Sequence, residues 1–193
     1  MGQRHTPTRQ NRDMNVFLVG SGSVGKTTVG PLVADLVGLP FIDLDERFIE
    51  QIGMISDYIN EHGYRGYAVA NADLAEQIVN DDDGNLVMAT SSGFLVHDGC
   101  DDVAERNLGL IHRTGISVLL LPSEDVEQSA RTLAFRQMAR YPERDLIAEY
   151  CIALDRCGRY QTLADHVVLA GAEQGQVAMQ IVELLAARSF DVD

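Results

Sequence analysis

An α/β fold, with a central parallel five-stranded sheet covered by helices on both faces, is what the sequence predicts, and three observations predict it. Short apolar runs bounded by turn residues recur at Val16 to Val19, Phe41 to Ile42, Leu86 to Ala89, Ile116 to Leu121 and His166 to Leu169. Helix-patterned stretches lie between them, as parallel strands require of their connections. The chain has 193 residues, 46% of them apolar, which suits one domain with a substantial core.

The elements follow in order. A strand over Asn15 to Val19 is followed by a helix over about Lys26 to Val37, because Val29, Leu32, Val33 and Leu36 repeat at three- and four-residue steps and Gly38 and Pro40 stand where a helix stops. Leu74, Ile78 and Val79 mark a second helix ending at the acidic turn Asp81-Asp82-Asp83-Gly84. The segment from Glu124 to Tyr160 sets Arg131, Arg136, Arg140 and Arg144 among Leu133, Phe135 and Met138, with a break at Tyr141-Pro142. Val177, Ile181, Leu184 and Leu185 form the apolar stripe of a last helix. The polar stretch Met1 to Asp13 reads as a disordered tail and residues 14–190 as a single domain.

Composition excludes some functions. With 15 Lys plus Arg against 29 Asp plus Glu the formal charge is -14, and the cations form no dense patch, so nucleic acid is not an expected partner. The longest strongly apolar run, Ile116 to Leu121, is far too short to span a bilayer, so no membrane partner is expected either. Cys100, Cys151 and Cys157 make neither a CxxC pair nor an even disulfide set, which fits a reducing cytoplasm. His62, His97, His112 and His166 have no metal-ligand spacing.

One motif carries chemistry. Gly20-Ser21-Gly22-Ser23-Val24-Gly25-Lys26-Thr27 fits G-x-x-x-x-G-K-[ST], between a predicted strand and a predicted helix. Such a loop turns backbone N–H groups toward polyphosphate, with Gly20, Gly22 and Gly25 expected at positive φ and the helix N-terminus adding partial positive charge. Lys26 is expected to reach the β- and γ-phosphates and Thr27 to ligate Mg²⁺, with Thr28 counted among the nucleotide-binding residues. A glycine-rich turn with a surface lysine is the bland alternative.

Asp43 and Asp45, 17 and 19 residues beyond Lys26, close the second predicted strand. As alternate residues of an extended strand they are expected to point to the same side, toward the crevice at the carboxyl ends of the strands. One acid then holds hydrated metal and the other activates an acceptor hydroxyl. The bland alternative is that Asp45 only caps a helix over Glu46 to Gln51 and Asp43 is a solvated strand end.

Val16-Phe17-Leu18-Val19-Gly20, the Gly-Lys-Thr-Thr loop, Leu39-Pro40-Phe41-Ile42-Asp43-Leu44-Asp45, Gly53-Met54-Ile55-Ser56, and later Arg156-Cys157-Gly158-Arg159-Tyr160 with Leu163-Ala164-Asp165 occur in the order and spacing of a known family. On these residues the chain resembles the shikimate kinase family of small P-loop kinases, related in fold to nucleoside monophosphate kinases. The resemblance implies the P-loop kinase fold, an acceptor-binding segment at about 46–80 and a lid at about 131–147. It implies ATP and Mg²⁺ held by Lys26, Thr27 and Asp43, an acceptor hydroxyl activated by Asp45, and an acceptor carboxylate paired with Arg156. An exposed surface arginine is the other reading of Arg156.

The departures fall on the acceptor side. Where the family reads Gly-Glu-x-x-Phe-Arg-x-x-Glu, this chain reads Gly63-Tyr64-Arg65-Gly66-Tyr67-Ala68-Val69-Ala70-Asn71, so Ala68 and Asn71 replace an arginine and its orienting acid. Arg65, one helical turn before Ala68, is the candidate replacement. The family's three glycines after the third strand become Ser91-Ser92-Gly93, which places two hydroxyls beside the acceptor or in service of loop backbone. Arg136 and Arg140 are the nearest candidates for the cation that closes over the transferring phosphate, and Arg131 for stacking on adenine. Tyr58, Tyr64 and Tyr67 line the acceptor pocket or pack a small helical segment.

The expected function is ATP-dependent phosphoryl transfer to a hydroxyl of a small molecule, shikimate or a related hydroxylated carboxylic acid first, by a monomer or weak homo-oligomer. Two alternatives stay open: a divergent kinase for a sugar, polyol or secondary metabolite, and a nucleotide-binding protein without turnover.

Overall fold

The structure, a computed structural model, describes residues 14–81 and 85–189. The tail expected over Met1 to Asp13 and the turn residues Asp82 to Gly84 lie outside them.

Five parallel strands form one sheet in the order β2-β3-β1-β4-β5. They are β1 (Asn15–Val19), β2 (Phe41–Asp43), β3 (Val87–Ala89), β4 (Gly115–Leu121) and β5 (His166–Leu169). β1 is central, pairing Val16 with Val87 on one side and with Ile116 on the other, and its five residues are all buried. Burial on both faces explains why β1, β3 and β4 read as apolar runs instead of alternating ones. Ser117 and Asp165 exchange hydrogen bonds of 2.8 and 2.9 Å, which fix β5 beside β4.

The helices are α1 (Lys26–Val37), α2 (Leu44–Gln51), α3 (Ile55–Asp81), α4 (Asp101–Thr114), α5 (Val126–Arg140), α6 (Leu146–Leu163) and α7 (Gln174–Ser189). α1 ends at Gly38, whose φ of 71° and N–H to the Ala34 carbonyl make the expected stop. Phe17, Leu18, Val33, Leu44, Phe48, Met88, Leu119 and Ile181 belong to one apolar core. α3 reaches further toward the N-terminus than the stripe of Leu74, Ile78 and Val79 predicts, and it is broken at Gly63 (φ 74°, ψ 167°). Residues 55–62 therefore form a separate short helical piece leading into Tyr64 and Tyr67. The Tyr141-Pro142 break separates α5 from α6, which pack against each other.

The order reversal that places β3 and β4 on opposite sides of β1 opens a crevice at the carboxyl ends of the strands. The loop after β1, the β2–α2 junction and the loop after β3 all meet there.

Candidate active site

The phosphate-type loop begins where β1 ends. Gly20 and Gly25 have φ of 134° and 109°, and the third positive φ belongs to Ser23 at 62°, correcting the expectation for Gly22. Gly22 serves close approach instead: a β-carbon there would stand 2.9 Å from the Gln137 amide nitrogen on α5. Gly25 occupies the N-cap of α1 in left-handed geometry without a side-chain cap, so the first N–H groups of the helix stay available to an anion. Val24 is buried, whereas Thr27 and Thr28 are exposed on the first turn of α1.

Lys26 is buried, and its ammonium donates to the Gly20 carbonyl at 2.6 Å and the Ser21 carbonyl at 3.2 Å. Burial lowers its pKa from 10.5 to about 8, the charges of Asp45 and Asp43 push it back up, and Arg156 pushes it down. Lys26 therefore lies within electrostatic reach of Asp43, Asp45 and Arg156.

The acids are arranged differently from the predicted strand pair. β2 ends at Asp43 and α2 begins at Leu44, so Asp45 lies in the first turn of a helix. Asp43 is the residue that caps it, its Oδ1 accepting from the N–H of Asp45 at 2.9 Å and of Glu46 at 3.2 Å. At 9% exposure it is no solvated strand end. Burial chiefly raises its pKa, with the two capping N–H groups opposing. An acid pair at a helix start brings both side chains to the cleft as strand alternation would, by another geometry. Asp45 Oδ1 accepts from the Ser91 hydroxyl at 2.7 Å and from the Tyr67 hydroxyl at 3.5 Å.

Where the resemblance expects the acceptor, α3, α6 and the loop after β3 form a tight polar cluster. Arg156, 15% exposed, donates to the Ser92 hydroxyl at 3.1 Å and lies 3.7 Å from Asp98. Tyr64 and His97 meet at 3.0 Å. A β-carbon on Gly93 would fall 2.9 Å from the Tyr64 hydroxyl and 3.3 Å from His97, so glycine is what lets these two side chains approach the loop as closely as they do. Tyr160 holds the loop from below, donating to the Ser92 carbonyl at 3.2 Å and accepting from the Leu95 N–H at 3.5 Å. His97 is fully buried, and burial together with Arg156 lowers its pKa to about 4, so it is neutral at pH 7. Asn71 Nδ2, His97 Nε2 and Arg156 Nε are buried in this cluster without partners.

Arg65 is not brought here. It forms a two-pronged pair with Asp102 at 2.9 and 2.7 Å on the outer surface, correcting its expected role beside the acceptor. The place of Ala68 is filled by a buried apolar cluster with Ala72, Cys100 and Val103. On α5, Arg136 donates to the Ser23 carbonyl at 3.4 Å, while Arg140 lies over the Tyr141 ring at 5.4 Å. Ser23 donates to Gln137 at 2.5 Å, a contact the sequence analysis missed because glutamine in a helix carries no signal of its own. Arg131 is on another face of α5, paired with Glu127 at 3.5 Å and beside an apolar groove with Phe135, Ile147 and Tyr150, so the structure does not bring it to the loop. His97 and Asp98 were equally unflagged, since their partners lie tens of residues away.

The arrangement fits polyphosphate and a hard cation. Thr27 is exposed beside the loop, and Asp43 spends Oδ1 on its cap, which suits a metal held through water. Among the described residues no three His, Cys, Asp or Glu side chains cluster as a metal site. Nor is any helix among them long and apolar enough to cross a membrane.

Comparison with known proteins follows the same lines. A family model described as shikimate kinase matches residues 22–186. A shikimate kinase of Halorhodospira halophila is 29% identical over 188 residues, covering 96% of this chain and 97% of that one. A shikimate kinase of Nitrosomonas europaea is 35% identical over 103 residues, a match that spans 50% of this chain and 48% of the relative. The solved structure of Acinetobacter baumannii shikimate kinase in complex with shikimate superposes with a TM-score of 0.73 at 21% identity, covering 91% of this chain and 94% of that one.

Proposed function

The chain belongs to the shikimate kinase family, and we propose from that premise that it transfers the γ-phosphoryl group of ATP to a hydroxyl of shikimate or a closely related hydroxylated carboxylic acid. The observation that carries this reading is the run of contacts along the carboxyl ends of the strands: Lys26 buried against the Gly20 and Ser21 carbonyls, Asp43 capping the turn that bears Asp45, Ser91 on Asp45, and Arg156 on the neighbouring Ser92. In this reading they supply the phosphate-binding, metal-binding, proton-accepting and carboxylate-binding groups for one small acceptor.

In this reading the loop from Gly20 to Thr28 holds the triphosphate with its N–H groups, and Lys26 leaves the Gly20 and Ser21 carbonyls to meet the β- and γ-phosphates. Thr27 and Asp43 would hold Mg²⁺, which would supply neutralisation of the phosphate charge. Arg156 pairs with the acceptor carboxylate, and Ser92, Gly93 and Tyr64 border it. Asp45 orients the acceptor hydroxyl and takes its proton as the acceptor oxygen bonds to the γ-phosphorus. The bond from that phosphorus to the β–γ bridging oxygen breaks, and ADP leaves. Most of the rate enhancement comes from positioning and charge stabilisation. Arg136, already against the loop at Ser23, is the lid cation, ahead of Arg140. The protein acts as a monomer or weak homo-oligomer in a reducing cytoplasm, with residues 14–190 as its single domain.

A second reading is favoured by the closed apolar cluster at Ala68 and the outward pairing of Arg65. With Arg156 as the cation lining the acceptor side, a less anionic sugar or polyol is the competing acceptor. A panel of shikimate, quinate, gluconate and neutral polyols with coupled ADP detection separates the two. Turnover confined to acceptors bearing a carboxylate supports the first; turnover confined to neutral polyols replaces it with the second.

A further inference from the structure

A serine hydroxyl has one proton, yet Ser91 Oγ lies 2.7 Å from Asp45 Oδ1 and 3.0 Å from Asn71 Oδ1, two acceptors. Meanwhile Asn71 Nδ2, in a side chain with no exposure, has no partner. Turning the Asn71 amide by half a rotation removes the two-acceptor conflict at Ser91: Nδ2 donates to Ser91 Oγ, and Ser91 gives its proton to Asp45 at the shorter distance. We propose that Asn71 and Ser91 form a directed hydrogen-bond chain, Asn71 to Ser91 to Asp45, that holds the Asp45 carboxylate in its working orientation. Both are positioning residues, acting on the acceptor only through Asp45.

The chain has a geometric consequence. Oδ1 of Asp45 is occupied by Ser91, with Tyr67 adding a longer contact at 3.5 Å, so Oδ2 is the oxygen left to accept the proton of the substrate hydroxyl. A carboxylate on the first turn of a short helix has free side-chain torsions, and a buried donor fixed behind it removes that freedom. Ser91 can do this because the loop bearing it is itself pinned by Tyr160 at Ser92 and Leu95. Ser91 and Asn71 stand where the resemblance expects a glycine and an acid, so this chain supports its base by neutral donors. The inference rests on Asp45 being that base.

The test uses the full chain with shikimate as acceptor and coupled ADP detection on Ser91→Ala, Asn71→Ala, the double variant and Asp45→Asn. Ser91→Ala is expected to lower kcat about ten- to hundredfold, as loss of a hydrogen bond to a charged group does, with the KM for ATP within about twofold of the parent. Asn71→Ala is expected to lower kcat by less, and the double variant to be no slower than Ser91→Ala, because Asn71 acts through the serine. Additive losses, or Ser91→Ala at the parental rate while Asp45→Asn is inactive, would overturn the chain and leave the proposed function standing. Full activity of Asp45→Asn would overturn both. A readout independent of any acceptor is the Asn71 side-chain amide resonance in ¹⁵N-labelled protein. A donor to Ser91 must change shift and exchange faster in Ser91→Ala, and an unmoved resonance refutes the chain whatever the acceptor is.

Discussion

The carboxylate of Asp43 accepts a hydrogen bond from the backbone N–H of Asp45 at 2.9 Å, so one acid of the cleft builds the helix turn that carries the other. Capping and metal binding can be separated by substitution. Asp43→Asn keeps an N-cap acceptor and is expected to fold with stability near the parent, yet to need much more Mg²⁺ for half-maximal turnover. Asp43→Ala loses the cap as well and is expected to cost about 1 kcal/mol of stability in denaturant unfolding. Equal Mg²⁺ dependence in Asp43→Asn and the parent would remove Asp43 from the metal site.

Asp45→Asn is expected to lower kcat by about 10² to 10⁴, the usual range for a positioned base, while ATP affinity measured by calorimetry stays within a few-fold. Loss of both together would assign Asp45 to nucleotide binding instead.

Lys26 has a folded pKa of about 8 against 10.5 when free, mainly through burial. A polyanion beside the ammonium raises that value, so ATP binding at pH 8 is expected to take up as much as about half a proton per protein, and affinity is expected to fall as pH rises from 8. Calorimetry in buffers of different ionisation enthalpy measures the uptake, and Lys26→Met should abolish it along with most of the affinity.

His97 works in the opposite pH range. Its pKa is depressed to about 4 from 6.5, so between those values the unfolded chain binds more protons than the folded one. Stability that is complete above pH 6.5 is therefore lost as pH falls toward 4, by an amount on the order of 3 kcal/mol. His97→Gln should flatten this part of the urea-unfolding profile, and a slope unchanged by the substitution would place the titration elsewhere.

Two arginines that look alike in sequence are expected to part in kinetics. Arg156→Lys should raise the KM for a carboxylate-bearing acceptor by tenfold or more, because an ammonium cannot replace the two-pronged guanidinium contact. Arg65→Ala, removed from the cleft by its pair with Asp102, should leave that KM unchanged.

The parts legible in sequence are those whose signal is local. β1, the loop and α1 announce themselves within 23 residues, from Asn15 to Val37, because strand, glycines and amphipathic helix are contiguous. The acid pair was also readable, but its geometry was not: an aspartate at a strand end can equally start a helix, and the choice depends on N–H groups that exist only once α2 forms. The acceptor wall was the least legible. Asn71 to Ser91 spans 20 residues and Tyr64 to His97 spans 33, contacts created by the packing of α3 against the loop after β3 and not by any motif. Lid arginines drew notice for their charge, whereas Gln137, a neutral residue, makes the shorter contact with the loop.

Phosphorus-31 NMR of the protein with ATP, Mg²⁺ and shikimate tests the central claim directly. A phosphomonoester resonance growing in step with ADP, and growing at least about a hundredfold more slowly with Asp45→Asn, is the predicted result. ATP bound and stable for hours with no ester formed on shikimate or any other acceptor of the panel would contradict the account.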